Sequence, residues 1–189
     1  RMNTQKGAGM YAAPQISLIM NLVIAVGLLL AFYAAFRPER GQRDIAWAMA
    51  AVLFGLGGGS IELILPAMTE PGLSLLLSYT LYLCMVASIS AAVAYGCGAE
   101  PPFRLLVELI AGALLLRWAT LSMPYDSFPR FALQQAPYAV LQAVGVYYIL
   151  RHRLRSWVEW NLLIAVMACV IQYPARMVIA TLAGGWGTA

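Results

Sequence analysis

Long runs of apolar residues alternate with short polar segments along almost the whole chain. A helix that rises 1.5 Å per residue needs about 20 residues to cross a hydrocarbon core of about 30 Å. Six runs reach that length, and they cover residues 16–36, 45–68, 73–95, 105–123, 131–150 and 162–183. Each run is far too long for a strand of a membrane barrel. The pattern therefore predicts an all-α polytopic membrane bundle with six transmembrane helices.

The segments between these runs are rich in charged residues, glycine and proline, which end helices and favour water. They read "RPERGQRD", "TEPG", "GCGAEPP", "PYDSFPR" and "RHRLRSW". Because these connections are short, we expect consecutive helices to be antiparallel neighbours in one bundle. The predicted organisation is an N-terminal extracytoplasmic tail over residues 1–15, the bundle over 16–183, and a C-terminal tail over 184–189.

Composition and charge agree with a membrane protein and not with a nucleic-acid-binding protein. The 189 residues are 62% hydrophobic and 11% charged, whereas soluble domains contain about 25% charged residues. The net charge of +4 comes from basic residues in short loops, where membrane orientation explains them. The first, third and fifth connections contain seven arginines: Arg37, Arg40, Arg43, Arg104, Arg151, Arg153 and Arg155. The positive-inside rule places these loops in the cytoplasm and the N-terminus outside.

Polar residues within the apolar runs are concentrated at one depth. Glu62, Arg117 and Arg176 each lie six or seven residues before the end of their run, which is about 9–11 Å from the same membrane boundary. Since a charge inside the bilayer costs several kcal/mol, we expect these side chains to face the bundle interior or a water-filled opening. The candidate ligand site at this depth comprises Arg117, Arg176, Glu62, Asn21, Tyr79, Gln135, Tyr138, Gln172 and Tyr173.

Three interpretations of this polar layer stay open. Glu62 forms a structural ion pair with Arg117 or Arg176, although one carboxylate leaves one of two positive charges uncompensated. Alternatively, the paired guanidinium groups bind the carboxylate or phosphate of an anionic or amphipathic ligand, whose tail contacts apolar walls. In the third interpretation both arginines extend towards lipid headgroups. Glu108, one turn from Arg104, is expected to pair with it near the membrane surface.

Small residues in the second and third runs predict close helix packing. Residues 55–60 read "GLGGGS" and residues 87–94 read "ASISAAVA", and small side chains let membrane helices approach closely. A gating role for these glycines is the alternative. Pro137 and Pro174 each remove a backbone hydrogen bond beside the polar layer, so they are expected to kink their helices.

The residues that are missing from the bundle exclude several classes of function. The single histidine, His152, lies in a predicted loop, and the single lysine, Lys6, lies in the N-terminal tail. Haem held by two histidines and a retinal Schiff base inside the bundle are therefore excluded. No nucleotide-binding, hydrolase or metalloprotease motif occurs. We expect a non-enzymatic chain without a cofactor or a metal site.

Four segments together carry a resemblance to a known class of protein. They are "RPERGQRDIAWAMAAVLFGLGGG" at 37–59, "LLLRWATL" at 114–121, "RHRLRSW" at 151–157 and "PARMVIA" at 174–180. In these segments the chain resembles the multi-pass N-terminal sensor regions of bacterial signalling proteins, especially those joined to GGDEF diguanylate cyclase domains. No GGDEF sequence occurs in this chain. Members of that class usually add a seventh helix before the effector, so the resemblance implies a sensor domain that lacks its last helix.

The resemblance and the polar layer lead to one expectation of function and two alternatives. We expect a signal-input domain in the bacterial inner membrane that binds an anionic or amphipathic ligand from outside and signals to a cytoplasmic effector. The alternatives are a small permease or flippase-like carrier, and an accessory subunit of a larger membrane complex. The expected partners are membrane lipid, the small ligand and a second copy of the chain in a homodimer.

Overall fold

A computed structural model of the protein describes residues 43–64, 71–124, 127–151, 160, 163–164, 166–171 and 173–175. The predictions made for Asn21, Gln172 and Arg176 lie outside these residues. The regular structure of the described residues is entirely helical. The main helices are α1 (Arg43–Ile64), α2 (Pro71–Gly96), α3 (Phe103–Ala119) and α4 (Phe128–Arg151). Helical residues also occur between 163 and 175.

Three of the described helical segments are long and apolar enough to cross a membrane. They are Arg43–Ile64, Gly72–Gly96 and Phe103–Ser122, and they support the predicted helical membrane fold. The fourth helix, α4, has 24 residues and a length of about 36 Å. It is less apolar than the other three because it contains Gln134, Gln135 and Gln142.

The connection from α2 to α3 is a tight turn, as its sequence "GCGAEPP" predicts. Gly98 has a φ of +70°, a conformation that glycine adopts without steric cost. The amide of Gly98 donates to the Tyr95 carbonyl at 2.8 Å, and the amide of Ala99 donates to the Ala94 carbonyl at 2.9 Å. These two bonds are those of a Schellman motif, which satisfies the last carbonyl groups of α2. Two prolines follow, and α3 begins directly after them.

The connection from α3 to α4 lies at the other end of the bundle from the turn between α2 and α3. A 3₁₀ turn, Thr120–Ser122, extends α3, and the Thr120 hydroxyl donates to the Arg117 carbonyl at 2.9 Å. Nη1 of Arg130 then donates to the Met123 carbonyl at 2.7 Å. This bond fixes the start of α4 beside the end of α3.

Helix α2 is the centre of the bundle and supplies more buried residues than any other described helix. The main core cluster contains Tyr79, Leu83, Val86, Ala87, Ala91, Leu106, Ala113, Tyr138 and Leu141. Helix α1 lies so close to α2 that a Cβ atom added at Gly58 would be 3.1 Å from the Tyr82 ring. On the other side of α2, the Ser90 hydroxyl donates to the Leu141 carbonyl of α4 at 2.6 Å. The close packing of these helices agrees with the small-residue pattern.

Candidate functional site

The carboxylate of Glu62, near the end of α1, is held by two hydroxyl groups of α2. The Ser78 hydroxyl donates to Oε1 at 3.2 Å, and the Tyr82 hydroxyl donates to Oε2 at 3.1 Å. Ser78 and Tyr82 are four residues apart, so they lie on the same face of α2. Their donated bonds offset part of the cost of placing a carboxylate between two apolar helices.

Arg117 does not pair with Glu62. Its guanidinium carbon lies 5.2 Å from the centre of the Tyr79 ring, which is a cation–π contact. Within the described part of the chain the ion pair is Arg104 with Glu108, at 2.8 Å on an exposed face of α3. The predicted Arg104–Glu108 pair is thus confirmed, and the interpretation that pairs Glu62 with Arg117 is wrong. The physical reason is that two residues at the same level of two helices can point in different directions around those helices.

Three tyrosines form a continuous aromatic contact across the bundle. The rings of Tyr79 and Tyr138 meet edge to face, with centres 5.4 Å apart. The rings of Tyr138 and Tyr173 are stacked, with centres 5.7 Å apart and planes inclined by 12°. The Tyr79 hydroxyl also donates to the Gln134 carbonyl at 3.3 Å, and the Tyr138 hydroxyl donates to the Tyr79 carbonyl at 3.4 Å. These contacts join α2, α4 and the helical residues around 173.

A cavity of about 430 Å³ lies beside Glu62, and we call it the Glu62 cavity. Its lining residues are Glu62, Tyr82, Met85, Val86, Gln135, Tyr138 and Tyr173. Four predicted site residues are therefore brought together here, and Tyr79 lies behind the cavity wall in contact with Tyr138. Tyr82, Met85 and Val86 were not among the predicted site residues. The sequence did contain a signal for Tyr82: it is a polar residue one helical turn from both Ser78 and Tyr79, so it lies on the same face of the helix as they do.

Arg117 lines a second recess, which we call the Arg117 groove. It has a volume of about 820 Å³ and opens between α2, α3 and the start of α4. Its lining residues are Gly72, Leu75, Leu76, Thr80, Ala111, Leu114, Leu115, Arg117, Trp118, Leu121, Arg130 and Gln134. Tyr79 separates the two recesses, because its ring contacts both Arg117 and Tyr138. The structure thus divides the predicted site into a carboxylate cavity and an arginine groove.

No group of three or more His, Cys, Asp or Glu side chains that could hold a metal ion occurs among the residues described.

Two buried side-chain amide atoms of the described residues have no hydrogen-bond partner. They are Nε2 of Gln134 and Oε1 of Gln142. Gln142 packs within α4 near the core, and the structure offers no physical account of its orphaned oxygen.

Comparison of the chain with protein-family models, with curated proteins and with solved structures finds no match.

Proposed function

We propose that the chain is the input module of a membrane signalling protein and that it binds an amphipathic small molecule in the Glu62 cavity. The observation that carries the proposal is the cavity itself, about 430 Å³ in volume, whose lining includes both polar groups and the apolar side chains of Met85 and Val86. Small-molecule sites in proteins are cavities of a few hundred Å³ with mainly apolar walls and a few placed polar groups. This cavity has a volume in that range, and its lining combines Glu62, Gln135 and three tyrosines with the apolar side chains of Met85 and Val86.

The lining indicates which part of the ligand meets which side chain. The charged residue among the described lining residues is Glu62, whose oxygens accept hydrogen bonds. Tyrosine rings, here Tyr138 and Tyr173, attract cations through their faces. We therefore propose a ligand that presents a hydroxyl or amine group to Glu62 and an apolar part to Met85 and Val86. Of the two expected ligand classes, anionic and amphipathic, this ligand belongs to the amphipathic class, because Arg117 lines the Arg117 groove and not this cavity.

Signalling requires that the ligand favours one packing arrangement of the helices over another. The cavity is suited to that requirement because its walls come from α1, α2 and α4, together with Tyr173. A ligand that contacts both Glu62 and Tyr138 would change the hydrogen bonds between Tyr79 and α4 and so shift α4. We propose that this shift of α4 is passed to a cytoplasmic effector.

The proposed module has six membrane spans in the inner membrane of a bacterium, with its N-terminus outside. In this orientation Glu62 lies in the outer half of the membrane, and the ligand enters from outside. The support from the described residues is the placement of Arg43, Arg104 and Arg151 at the end of the bundle opposite Glu62, as the positive-inside rule expects of a cytoplasmic face.

Thermal unfolding of the purified protein in lipid nanodiscs tests the ligand site, with octylamine, octanol and octanoate as probes. Octylamine and octanol should raise the unfolding midpoint by a few degrees more than octanoate, because binding to the folded state stabilises it. Glu62→Gln should lose this difference. Glu108→Gln, at an exposed carboxylate on α3, is the matched control and should keep it. Equal shifts in wild type and Glu62→Gln, or the largest shift with octanoate, would contradict the proposal.

A second measurement separates a sensor from a carrier. Octylamine bound to a sensor should alter hydrogen exchange of the α4 amides, since the proposed signal passes through that helix. A carrier would instead speed the uptake of a permanently charged analogue, octyltrimethylammonium, into vesicles. Uptake that depends on Glu62 would replace the sensor proposal with the carrier alternative.

A further inference from the structure

We infer that the Arg117 groove binds one anionic phospholipid, whose phosphate contacts Arg117 and Arg130 and whose acyl chain lies along α2 and α3. This site is distinct from the Glu62 cavity, and the inference does not depend on the proposed sensory function.

The groove has the shape and surface that an acyl chain needs. Its volume is about 820 Å³, and five of its twelve lining residues are leucines, among them Leu76, Leu114 and Leu115. Leu115 is 67% exposed and Leu121 is 58% exposed, so the groove is open at the side of the bundle. In a membrane this side faces hydrocarbon, and a lipid reaches the groove without crossing the protein.

Both guanidinium groups lie at one end of this apolar surface. Arg117 is two residues before the end of α3, and Arg130 is two residues after the start of α4. The ring of Tyr79 supports the Arg117 guanidinium at 5.2 Å, and the bond to the Met123 carbonyl holds Arg130 at the groove. Guanidinium groups match phosphate oxygens bidentately. Two of them beside an apolar surface therefore favour an occupant that carries a negative charge.

The depth of Arg117 is that of a headgroup contact. Arg117 is five residues before the end of the span Phe103–Ser122, about 7.5 Å along the helix. The Arg117 guanidinium, which the Tyr79 ring holds in the groove, is therefore near enough to the interface for a lipid phosphate that enters the groove to reach it. Trp118, the next residue, is 73% exposed, as expected for an aromatic residue at the membrane–water boundary. A free phosphate ion would use only the arginines, whereas a phospholipid also uses the leucine wall.

Native mass spectrometry of the detergent-purified protein tests this inference with phosphatidylglycerol and phosphatidylcholine of identical acyl chains. We expect phosphatidylglycerol to bind wild type more tightly than phosphatidylcholine does, because choline cancels the phosphate charge. Arg117→Gln should weaken the binding of phosphatidylglycerol about tenfold or more, since the substitution removes a charge-assisted bidentate contact. Arg104→Gln is the matched control, because Arg104 is exposed at the opposite end of α3, and it should leave the affinity unchanged.

Three results would overturn the inference. The first is equal binding of the two lipids by wild type, and the second is equal binding of phosphatidylglycerol by wild type and Arg117→Gln. The third is displacement of the lipid by glycerol phosphate at the same concentration, which would indicate a site for a free anion. Should Arg117→Gln fail to fold, Arg130→Gln must show the same selective loss of phosphatidylglycerol.

Discussion

The two hydroxyl groups that hold Glu62 explain how a carboxylate is kept between apolar helices. Ser78 and Tyr82 each donate to a different oxygen of the carboxylate, so both oxygens have a partner from α2. A buried polar group without partners costs several kcal/mol. Glu62 therefore joins α1 to α2 while one side of its carboxylate still faces the cavity.

Tyr82→Phe should weaken this joint without changing the size of the ring. The variant removes one hydrogen bond to Glu62, and side-chain hydrogen bonds in membrane proteins contribute about 0.6 kcal/mol on average and at most about 1.7 kcal/mol. We expect the free energy of unfolding, measured by titration with sodium dodecyl sulfate, to decrease by an amount within that range. Tyr147→Phe is the control, because the Tyr147 hydroxyl accepts from Arg151 on an exposed surface. An equal loss in both variants would show that Tyr82 does not position Glu62 as described.

The level of a residue along its helix could be predicted by counting, whereas its direction around the helix could not. The fixed rise of a helix places Glu62, Arg117 and Tyr138 at a common level by counting from the helix ends. Which side of a helix faces which neighbour depends on packing between helices, and no count along one helix contains that information. For this reason Tyr138 and Gln135 meet Glu62 as expected, whereas Arg117 lies in another recess.

At the scale of elements, glycines determine how closely α1 approaches α2. Added Cβ atoms at Gly55, Gly57 and Gly58 would lie 2.9 Å from Met85, 3.3 Å from Leu81 and 3.1 Å from Tyr82, respectively. At distances this short, the neighbouring side chain of α2 would have to shift to admit a methyl group at each position. The close approach also brings Glu62 within hydrogen-bond distance of α2, so the packing of two helices creates one wall of the cavity.

Gly58→Ala should separate the two helices locally and disturb the Glu62 cavity. The new methyl group would meet the Tyr82 ring, and overpacking of this kind costs about 1–3 kcal/mol. Gly112→Ala is the matched control, because nothing lies within 4 Å of its added Cβ atom on α3. We expect that control to be neutral or slightly stabilising, since alanine favours helix more than glycine does. Equal unfolding free energies for the two variants would contradict the described contact.

For α2 and α4, hydropathy predicted the helical segments but placed their ends inside the observed ends. The predicted run 73–95 corresponds to Pro71–Gly96, and the predicted run 131–150 corresponds to Phe128–Arg151. Apolar runs mark the part of a helix that contacts hydrocarbon, and the backbone continues its hydrogen bonding for a further residue or more into the interface. At the end of α3 the opposite occurs, because the last predicted residues form a 3₁₀ turn, Thr120–Ser122.

At the scale of the whole molecule, the arginines of the described residues are distributed unequally between the two ends of the bundle. Arg43, Arg104 and Arg151 lie at the end where α2 meets α3, whereas Arg130 lies at the end where α3 meets α4. Residues near Glu100 should therefore face the cytoplasm, and residues near Pro124 should face outside. This orientation decides from which side the proposed ligand would reach the Glu62 cavity, because Glu62 lies at the α3–α4 end.

Single cysteines at the two ends test this orientation directly. With Cys84, Cys97 and Cys169 replaced by alanine, we expect Pro124→Cys to react with a membrane-impermeant maleimide in intact cells. Glu100→Cys should react only after the cells are permeabilised. Both positions are exposed, so a difference in labelling reports the side of the membrane and not burial. The reverse pattern would place the Glu62 cavity in the cytoplasmic half, and a ligand from outside would then have to cross the bilayer to reach it.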